Sequence, residues 1–217
     1  MKTIKATVHT ELITSDDGKH TYEVIKQLEG VDGECGYLIS LYPTRDETNI
    51  FASDSTLNHL VSHMQELGFN ELHIINLIST VVNSGKLSTR GLQIDKENME
   101  YIDKLMSTKE FQNSKFIIAW GNSLLSSNAI NESKLKIFEM FNTHCPKGKL
   151  YQITTIGLTL DSDIAPHPLY VGIRGGDFQW GLKEFKPTKK MHEAMKKTKK
   201  PFERPIKPGS LLRIQEI

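Results

Sequence analysis

The chain has 217 residues, of which 38% are hydrophobic and 24% are charged, and its formal net charge is +1. These values are ordinary for one globular domain with appendages, and they argue against a strongly charged disordered chain. The sequence has no apolar run near the roughly 18 residues that a membrane span needs, and its start lacks the apolar region of a signal peptide. We therefore expect a cytoplasmic protein.

The first thirty residues predict a β-hairpin, because two stretches that alternate apolar and polar residues flank a short run of turn residues. The alternating stretches are 4–13 and 22–28, and the turn is 15–18. This hairpin would add antiparallel strands to the side of a larger sheet.

Four apolar, β-branched runs then predict four strands, with helix-like segments between them. The strands are placed at 36–42, 72–78, 115–120 and 149–156. The helices are placed from an N-cap at Ser53 or Asp54 to Leu67, at 95–110 and at 131–142. Because strands and helices alternate, we expect an α/β fold: a three-layer α/β/α sandwich with a mainly parallel four-stranded central sheet.

The composition changes near the end of the chain. Residues 183–207 hold ten Lys or Arg against three Glu, a local net charge of +7. We therefore assign 1–180 to one α/β domain, with its hairpin at 1–30 and its parallel core at 35–170, and 181–217 to a basic, Pro/Lys-rich arm. Such an arm either meets phosphates or an acidic protein surface, or is a solvated tail. The lysines that would contact a nucleic-acid backbone are Lys183, Lys186, Lys189, Lys190, Lys196, Lys197, Lys199 and Lys200.

Two cysteines, Cys35 and Cys145, lie far apart, and neither belongs to a CxxC pair. This usage argues against a disulfide scaffold and against a cysteine-rich zinc site. Two loop carboxylates, Asp161 and Asp163, are weak evidence for a cation. The sequence therefore predicts no metal site and no cofactor.

Each predicted parallel strand ends in a small cluster of turn-forming and hydrogen-bonding residues. Because the carboxyl ends of parallel strands share one edge of a sheet, we expect these clusters to share one crevice, which is where open α/β sheets bind ligands. The candidate ligand-binding residues are Tyr42, Pro43, Thr44, Arg45, Asn76, Trp120, Gly121 and His167.

These residue types are suited to a nucleobase or a phosphate. The ring of Tyr42 can stack on a base, and Arg45 can hold a phosphate with two hydrogen bonds. The amide of Asn76 has both donors and an acceptor, the set that reads the edge of a base. A preorganised His167 can donate a hydrogen bond to a departing group. Taken singly, each residue also has a structural interpretation, as a turn, a packed ring, a satisfied amide or a loop histidine.

Gly121 has no Cβ, so an anion or a ring can approach its backbone closely.

In order along the chain, the clusters resemble a bacterial and phage family of domains of unknown function, family 1643, over residues 20–180. The residues that carry the resemblance are 18–22, 41–44, 54–57, 75–77, 119–121, 157–159 and 167–170. The chain departs from that family at Tyr42, where Asn usually precedes the proline.

The same series is similar, more remotely, to the uracil-DNA glycosylase superfamily. That resemblance implies a glycosylase-like fold in which Asn76 reads the edge of a flipped base and His167 steadies the departing base, with Trp120 or Tyr42 as a wall. Asn76 and His167 would then be the catalytic residues of any activity. The first-motif carboxylate of the superfamily is missing, because Tyr42 cannot replace it and Asp46 lies further along the loop.

Three functions stay open. The missing carboxylate favours a glycosylase-like protein that binds DNA, single-stranded DNA included, without ordinary uracil excision. The second is a glycosylase or hydrolase of a modified base or nucleotide, with Asp46 or a water held by Asn76 in place of the carboxylate. The third is a protein-interaction module of a mobile genetic element, in which the basic arm meets an acidic partner.

Overall fold

The computed structural model describes residues 1–44, 48, 50, 54–82, 87–155, 165–175, 178–189 and 191–193. Several residues named in the sequence analysis lie outside this part of the chain: Arg45, Asp46, Ser53, Asp161, Asp163, Lys190, Lys196, Lys197, Lys199 and Lys200. The roles suggested for them stay predictions.

Seven strands form one mixed sheet. Their bounds are β1 Val8–Thr14, β2 Thr21–Leu28, β3 Glu34–Ser40, β4 Phe69–Asn76, β5 Lys115–Ile118, β6 Leu150–Thr155 and β7 Trp180–Glu184. The strand order is β1-β2-β4-β3-β5-β6-β7. The central strands β4, β3, β5 and β6 are parallel to one another, whereas β2 pairs antiparallel with β4 and β7 pairs antiparallel with β6.

The α/β class is confirmed, but the predicted four-stranded sheet is too small. The predicted hairpin is present as β1 and β2, and it continues the sheet beyond β4. The strand β7 was not predicted, and it includes Lys183, which the sequence analysis assigned to the basic arm. Because β7 is a short edge strand with charged residues, which are typical of sheet edges, its sequence pattern is weak.

In the described part of the chain, five helices cover the two faces of the sheet. They are α1 Ser55–His63, α2 Lys96–Met106, α3 Lys109–Asn113, α4 Asn128–His144 and α5 Pro168–Gly175. Buried side chains of α1 and α5 pack on one face, and those of α2, α3 and α4 pack on the other. Residues 189 and 191–193 are also helical. In the part of the chain that the structure describes, no helix is long and apolar enough to cross a membrane.

The helix that was predicted to end at Leu67 ends at His63, and two further segments also differ from the prediction. The helix expected at 95–110 is divided into α2 and α3, because Ser107 ends the first and Thr108 caps the second. No helix was predicted directly after His167, but the chain forms α5 from Pro168 onward. Proline suits the first position of a helix, whereas the two glycines inside α5 weaken the helical signal.

Polar side chains set the starts of the other helices. Asp54 caps α1 by accepting a hydrogen bond from the backbone N–H of Leu57, so one of the two predicted N-caps is confirmed. Asp95 and Thr108 cap α2 and α3 in the same way. Each cap satisfies a backbone donor that has no partner inside the helix.

The core is divided between the two faces of the sheet because successive side chains of a strand point in opposite directions. Near the end of β5, Ile118 and Trp120 belong to the core cluster beneath α2, α3 and α4. Ile117 and Ala119 belong to the cluster beneath α1 and α5. This division decides which strand-end residues can reach a ligand on either side.

Candidate functional site

A cavity of about 290 Å³ lies at the carboxyl ends of β3 and β4, beside the start of α1. Side chains of β2, β3, β4 and α1 form its apolar wall: Val24, Leu38, Leu57, Leu60 and Ile74. Polar residues from the strand ends and the segments after them complete the lining: Ser40, Tyr42, Thr44, Asp54, Thr56, Asn76, Ser123 and His167. The volume is near the lower end of the range for small-molecule pockets, so the cavity suits a small ligand.

The position of the cavity follows from the topology of the sheet. Numbered in chain order, the four parallel strands lie 2-1-3-4, so the order reverses between β3 and β5. Ligands of open α/β sheets bind outside the carboxyl ends of the strands at such a reversal. The cavity is lined by the chain that leaves β3, at residues 40–44, and by Ser123 after β5.

Asp54 places a carboxylate in the wall of the cavity. Its Oδ1 accepts a hydrogen bond from the backbone N–H of Leu57 at 2.8 Å, and its Oδ2 accepts one from the hydroxyl of Thr44. These two contacts hold the carboxylate in place. The site therefore contains a fixed anionic group next to its apolar wall.

The sequence analysis missed Asp54 as a site residue. It assigned Asp54 only to capping and considered Asp46 as the replacement for the missing carboxylate. The available signal was the position of Asp54 itself: the helix after β3 begins at the same sheet edge where β3 ends, so its N-cap lies beside the strand ends. A charged cap at that edge is close to any ligand bound there.

His167 is held through both nitrogens of its ring. Its Nδ1 accepts a hydrogen bond from the backbone N–H of Leu169 at 3.3 Å, and its Nε2 lies 3.1 Å from Oγ of Ser40. Because Nδ1 accepts, we assign the proton of the neutral ring to Nε2, which donates to Ser40. Burial lowers the pKa of His167 below 6.5, although the charge of Asp54 opposes this effect. The ring is therefore a neutral N–H donor at pH 7.

This arrangement differs from a Ser–His–Asp triad. In a triad, the histidine donates from Nδ1 to the carboxylate and accepts the serine proton at Nε2. Here Nδ1 accepts from the backbone, and Nε2 donates to Ser40. His167 is therefore arranged to donate a hydrogen bond and not to activate Ser40 as a nucleophile.

Gly121 positions the backbone of His167. Its φ is +63°, in the left-handed region, and a Cβ at this residue would lie 3.1 Å from Cβ of His167. Its N–H donates to the carbonyl of Ala165 at 2.9 Å. Gly121 does not line the cavity, so the close approach that it permits is that of the 165–167 segment.

Asn76 is the last residue of β4, and it lines the cavity although only 3% of its surface is exposed. Its backbone carbonyl accepts a hydrogen bond from the side chain of Asn98 at 2.8 Å. Among the described residues, no group forms a hydrogen bond with the side-chain amide of Asn76. Because Asn76 lines the cavity, its amide is placed where a ligand could contact it.

The two predicted aromatic residues both belong to or pack against the core cluster beneath α2, α3 and α4, but only one of them lines the cavity. Tyr42 lines the cavity, together with Pro43 and Thr44. Trp120 does not line it: its ring is 1% exposed and packs edge-on against Phe138, with ring centroids 5.5 Å apart. Tyr42 is therefore the aromatic residue at the cavity, and Trp120 is part of the core.

The described lysines of the predicted basic arm do not line the cavity. Lys183 lies in β7, which is three strands away from β3, about 14 Å at the usual strand spacing. Lys186 and Lys189 follow β7 and are exposed. Lys186 lies 3.4 Å from the carboxylate of Glu184, so part of its charge is already balanced.

The fold and the site define an α/β protein with a ligand-sized cavity at the carboxyl ends of its parallel strands, lined by a carboxylate, an amide and a neutral imidazole. A family model described as protein of unknown function (DUF1643) matches residues 32–169, and the chain belongs to that family. The match includes every polar residue of the cavity. Searches of curated proteins and of solved structures gave no significant match.

Proposed function

We propose that the cavity binds a nucleobase and that the protein hydrolyses the N-glycosidic bond between this base and its sugar. The observation that carries the proposal is the presence of Asp54 and His167 in one cavity, as an anion and a neutral N–H donor. The sequence analysis favoured binding alone because it found no carboxylate. Asp54 provides that carboxylate, and it therefore supports the hydrolytic alternative.

Hydrolysis of an N-glycosidic bond develops positive charge on the sugar and negative charge on the departing base. An ionised Asp54 stabilises the cation-like sugar and orients a water molecule toward the anomeric carbon. The water oxygen bonds to that carbon as the bond to the base breaks, and the water proton is transferred to the base. His167 donates a hydrogen bond from Nε2 to the departing base in place of its contact with Ser40.

The remaining residues of the cavity fit a base. The amide of Asn76 can pair with the edge of a base, and the ring of Tyr42 can stack on its face. Leu38, Leu57 and Ile74 form an apolar surface for the opposite face. The resemblance to uracil-DNA glycosylases belongs to this proposal, and the parallel strands at the centre of the sheet, with polar residues at their ends, support it.

A second candidate is DNA binding without hydrolysis, and the +7 charge of residues 183–207 favours it. A base of DNA reaches such a cavity only after it flips out of the helix, at a cost of a few kcal/mol. Contacts between lysines and phosphates can offset this cost, and they make binding strongly dependent on salt. The same residues could instead meet an acidic protein.

The test measures free base by liquid chromatography after the full chain is incubated with nucleosides, nucleotides and oligonucleotides that carry uracil or other altered bases. We expect release by the wild type, and a rate at least about 100-fold lower for Asp54→Asn and for His167→Gln. Asp95→Asn is the matched control, because Asp95 caps α2 and does not line the cavity. If no substrate releases its base but oligonucleotides shift in a gel at low salt, DNA binding alone is the function.

A further inference from the structure

Four side chains that can bind a metal converge at the amino-terminal end of β3, away from the cavity. They are Cys35 of β3, Glu71 and His73 of β4 and Glu110 of α3, and their ligand atoms all lie within 4.8 Å of one another. Along β3, five residue steps separate Cys35 from Ser40 in the cavity, about 17 Å at the usual rise of a strand. This cluster is therefore distinct from the cavity.

The register of two strands brings three of these residues together. The strands β3 and β4 pair in parallel, with Cys35 opposite Glu71 and Tyr37 opposite His73. Residues two positions apart on a strand share a face of the sheet, so the side chains at 35, 71 and 73 lie on the same face.

The helix α3 brings the fourth residue to this face. Phe111 of α3 packs on the ring of Tyr37, with ring centroids 4.7 Å apart. The residue before it, Glu110, is exposed and its carboxylate reaches the cluster from the solvent side. The four ligand atoms thus come from two strands and one helix, with one open side.

His73 is held in the orientation of a metal ligand. It is 7% exposed, its Nδ1 lies 2.7 Å from a carboxylate oxygen of Glu23, and the other oxygen of Glu23 accepts a hydrogen bond from Tyr101 at 2.5 Å. The ring of Tyr37 stacks on it at 4.4 Å. Its Nε2 is directed to the cluster, 2.8 Å from Oε1 of Glu71. Metal-binding histidines usually donate their second N–H to a carboxylate, as His73 does to Glu23.

We propose that Cys35, Glu71, His73 and Glu110 bind one Zn²⁺ ion. One thiolate, one imidazole and two carboxylates make a four-ligand set that suits tetrahedral zinc. Ligand atoms of tetrahedral zinc lie roughly 3.3 to 3.8 Å apart, as follows from bond lengths of about 2.0 to 2.3 Å. Small side-chain rotations, mainly of the exposed Glu110, bring the four atoms to these distances.

The ion takes the place of the proton between His73 and Glu71, and it balances the charge of the carboxylates. It links α3 to β3 and β4, which is the arrangement of a structural zinc site. The sequence analysis predicted no metal because a single cysteine without a CxxC partner is not a zinc motif. The ligands extend from residue 35 to residue 110, and only the register of β3 on β4 brings them together.

The test begins with the metal content of the purified full chain, followed by removal of metal with a chelator and titration with Co²⁺ as a spectroscopic substitute for Zn²⁺. We expect one zinc per chain, and a tetrahedral cobalt spectrum with a thiolate-to-cobalt charge-transfer band. Cys35→Ser removes this band. Cys145→Ser keeps it, because Cys145 follows α4 and is not part of the cluster.

Zinc affinity is then measured by competition with a chromophoric chelator. We expect Glu23→Gln to weaken binding about 10- to 100-fold, because Glu23 orients His73. Glu110 is exposed, so Glu110→Gln should fold normally, as circular dichroism can check, and bind zinc at least about tenfold more weakly. The proposal is overturned if the folded wild type binds no stoichiometric ion, or if Cys35→Ser and Glu110→Gln bind zinc as tightly as the wild type. The cluster is then a metal-free network of ion pairs.

Discussion

Replacing Asp54 by Ala or by Asn separates its capping role from its charge. Alanine removes the acceptor for the N–H of Leu57, at 2.8 Å, and for the hydroxyl of Thr44. The lost cap costs about 1 kcal/mol, and the unpaired hydroxyl costs about as much again. We therefore expect Asp54→Ala to lower the free energy of unfolding by about 2 kcal/mol. Asparagine caps helices as well as aspartate does, so Asp54→Asn should lower it by less than about 0.5 kcal/mol.

Urea unfolding followed by circular dichroism measures this difference, and a thermal scan provides a second measure. For a chain of this size, a loss of about 2 kcal/mol corresponds to a fall in Tm of about 4 to 8 °C. Base release should be lost in both variants, because neither has the negative charge. A stability of Asp54→Ala equal to that of the wild type would refute the capping argument. A wild-type rate of base release by Asp54→Asn would refute the role of the charge.

Three further predictions concern other parts of the fold. Burial lowers the pKa of Lys134 from 10.5 to about 8. Between pH 8 and pH 10.5 the unfolded chain therefore binds more protons than the folded chain, and the free energy of unfolding should rise with pH over this range. Lys134→Met should abolish this rise and add up to about 3 kcal/mol at pH 7, as urea unfolding at several pH values can show. Gly36→Ala should lower the free energy of unfolding by about 1 to 3 kcal/mol, because its Cβ would lie 2.5 Å from the ring of Phe69. Gly181→Ala should lower it by less than about 0.5 kcal/mol, because the nearest atom to its Cβ would be 3.7 Å away. Equal losses in the two variants would contradict the packing argument. Burial lowers the pKa of His167 below 6.5, so its contribution to stability should be present above pH 6.5 and be lost as the pH falls below it, and His167→Gln should flatten that part of the unfolding profile.

The edge of the sheet that carries the cavity could be predicted from the sequence. The runs that end at Tyr42 and Asn76 read as strands with helices between them, and parallel strands put their carboxyl ends on one edge. His167 joins them because the chain after β6 returns to the same edge, where α5 begins. These three residues line one cavity.

The face on which each residue lies could not be predicted in the same way. A central strand is apolar on both faces, so its composition does not tell which side a terminal residue takes. Trp120 therefore looked like a ligand-binding ring, although it packs against Phe138 on the far side of the sheet. Asp54 looked like a cap alone, although the helix that follows β3 begins at the sheet edge where β3 ends.

The cluster of Cys35, Glu71, His73 and Glu110, which we propose binds zinc, depends on register, which is the least accessible feature of a sequence. Cys35 lies opposite Glu71 only because β3 pairs with β4 at one particular offset. A shift of a single residue would place the side chains of one strand on the other face. Nothing in the spacing of the four ligands along the chain indicates this offset.

The most direct test of the central claim is the rate of base release by the wild type divided by the rate for Asp54→Asn, measured on the substrate that the wild type cleaves best. The cavity account predicts release of free base and a ratio of at least about 100. A ratio near one would show that any release does not depend on the carboxylate in the cavity. No release from any nucleoside, nucleotide or oligonucleotide would contradict the proposed hydrolysis itself.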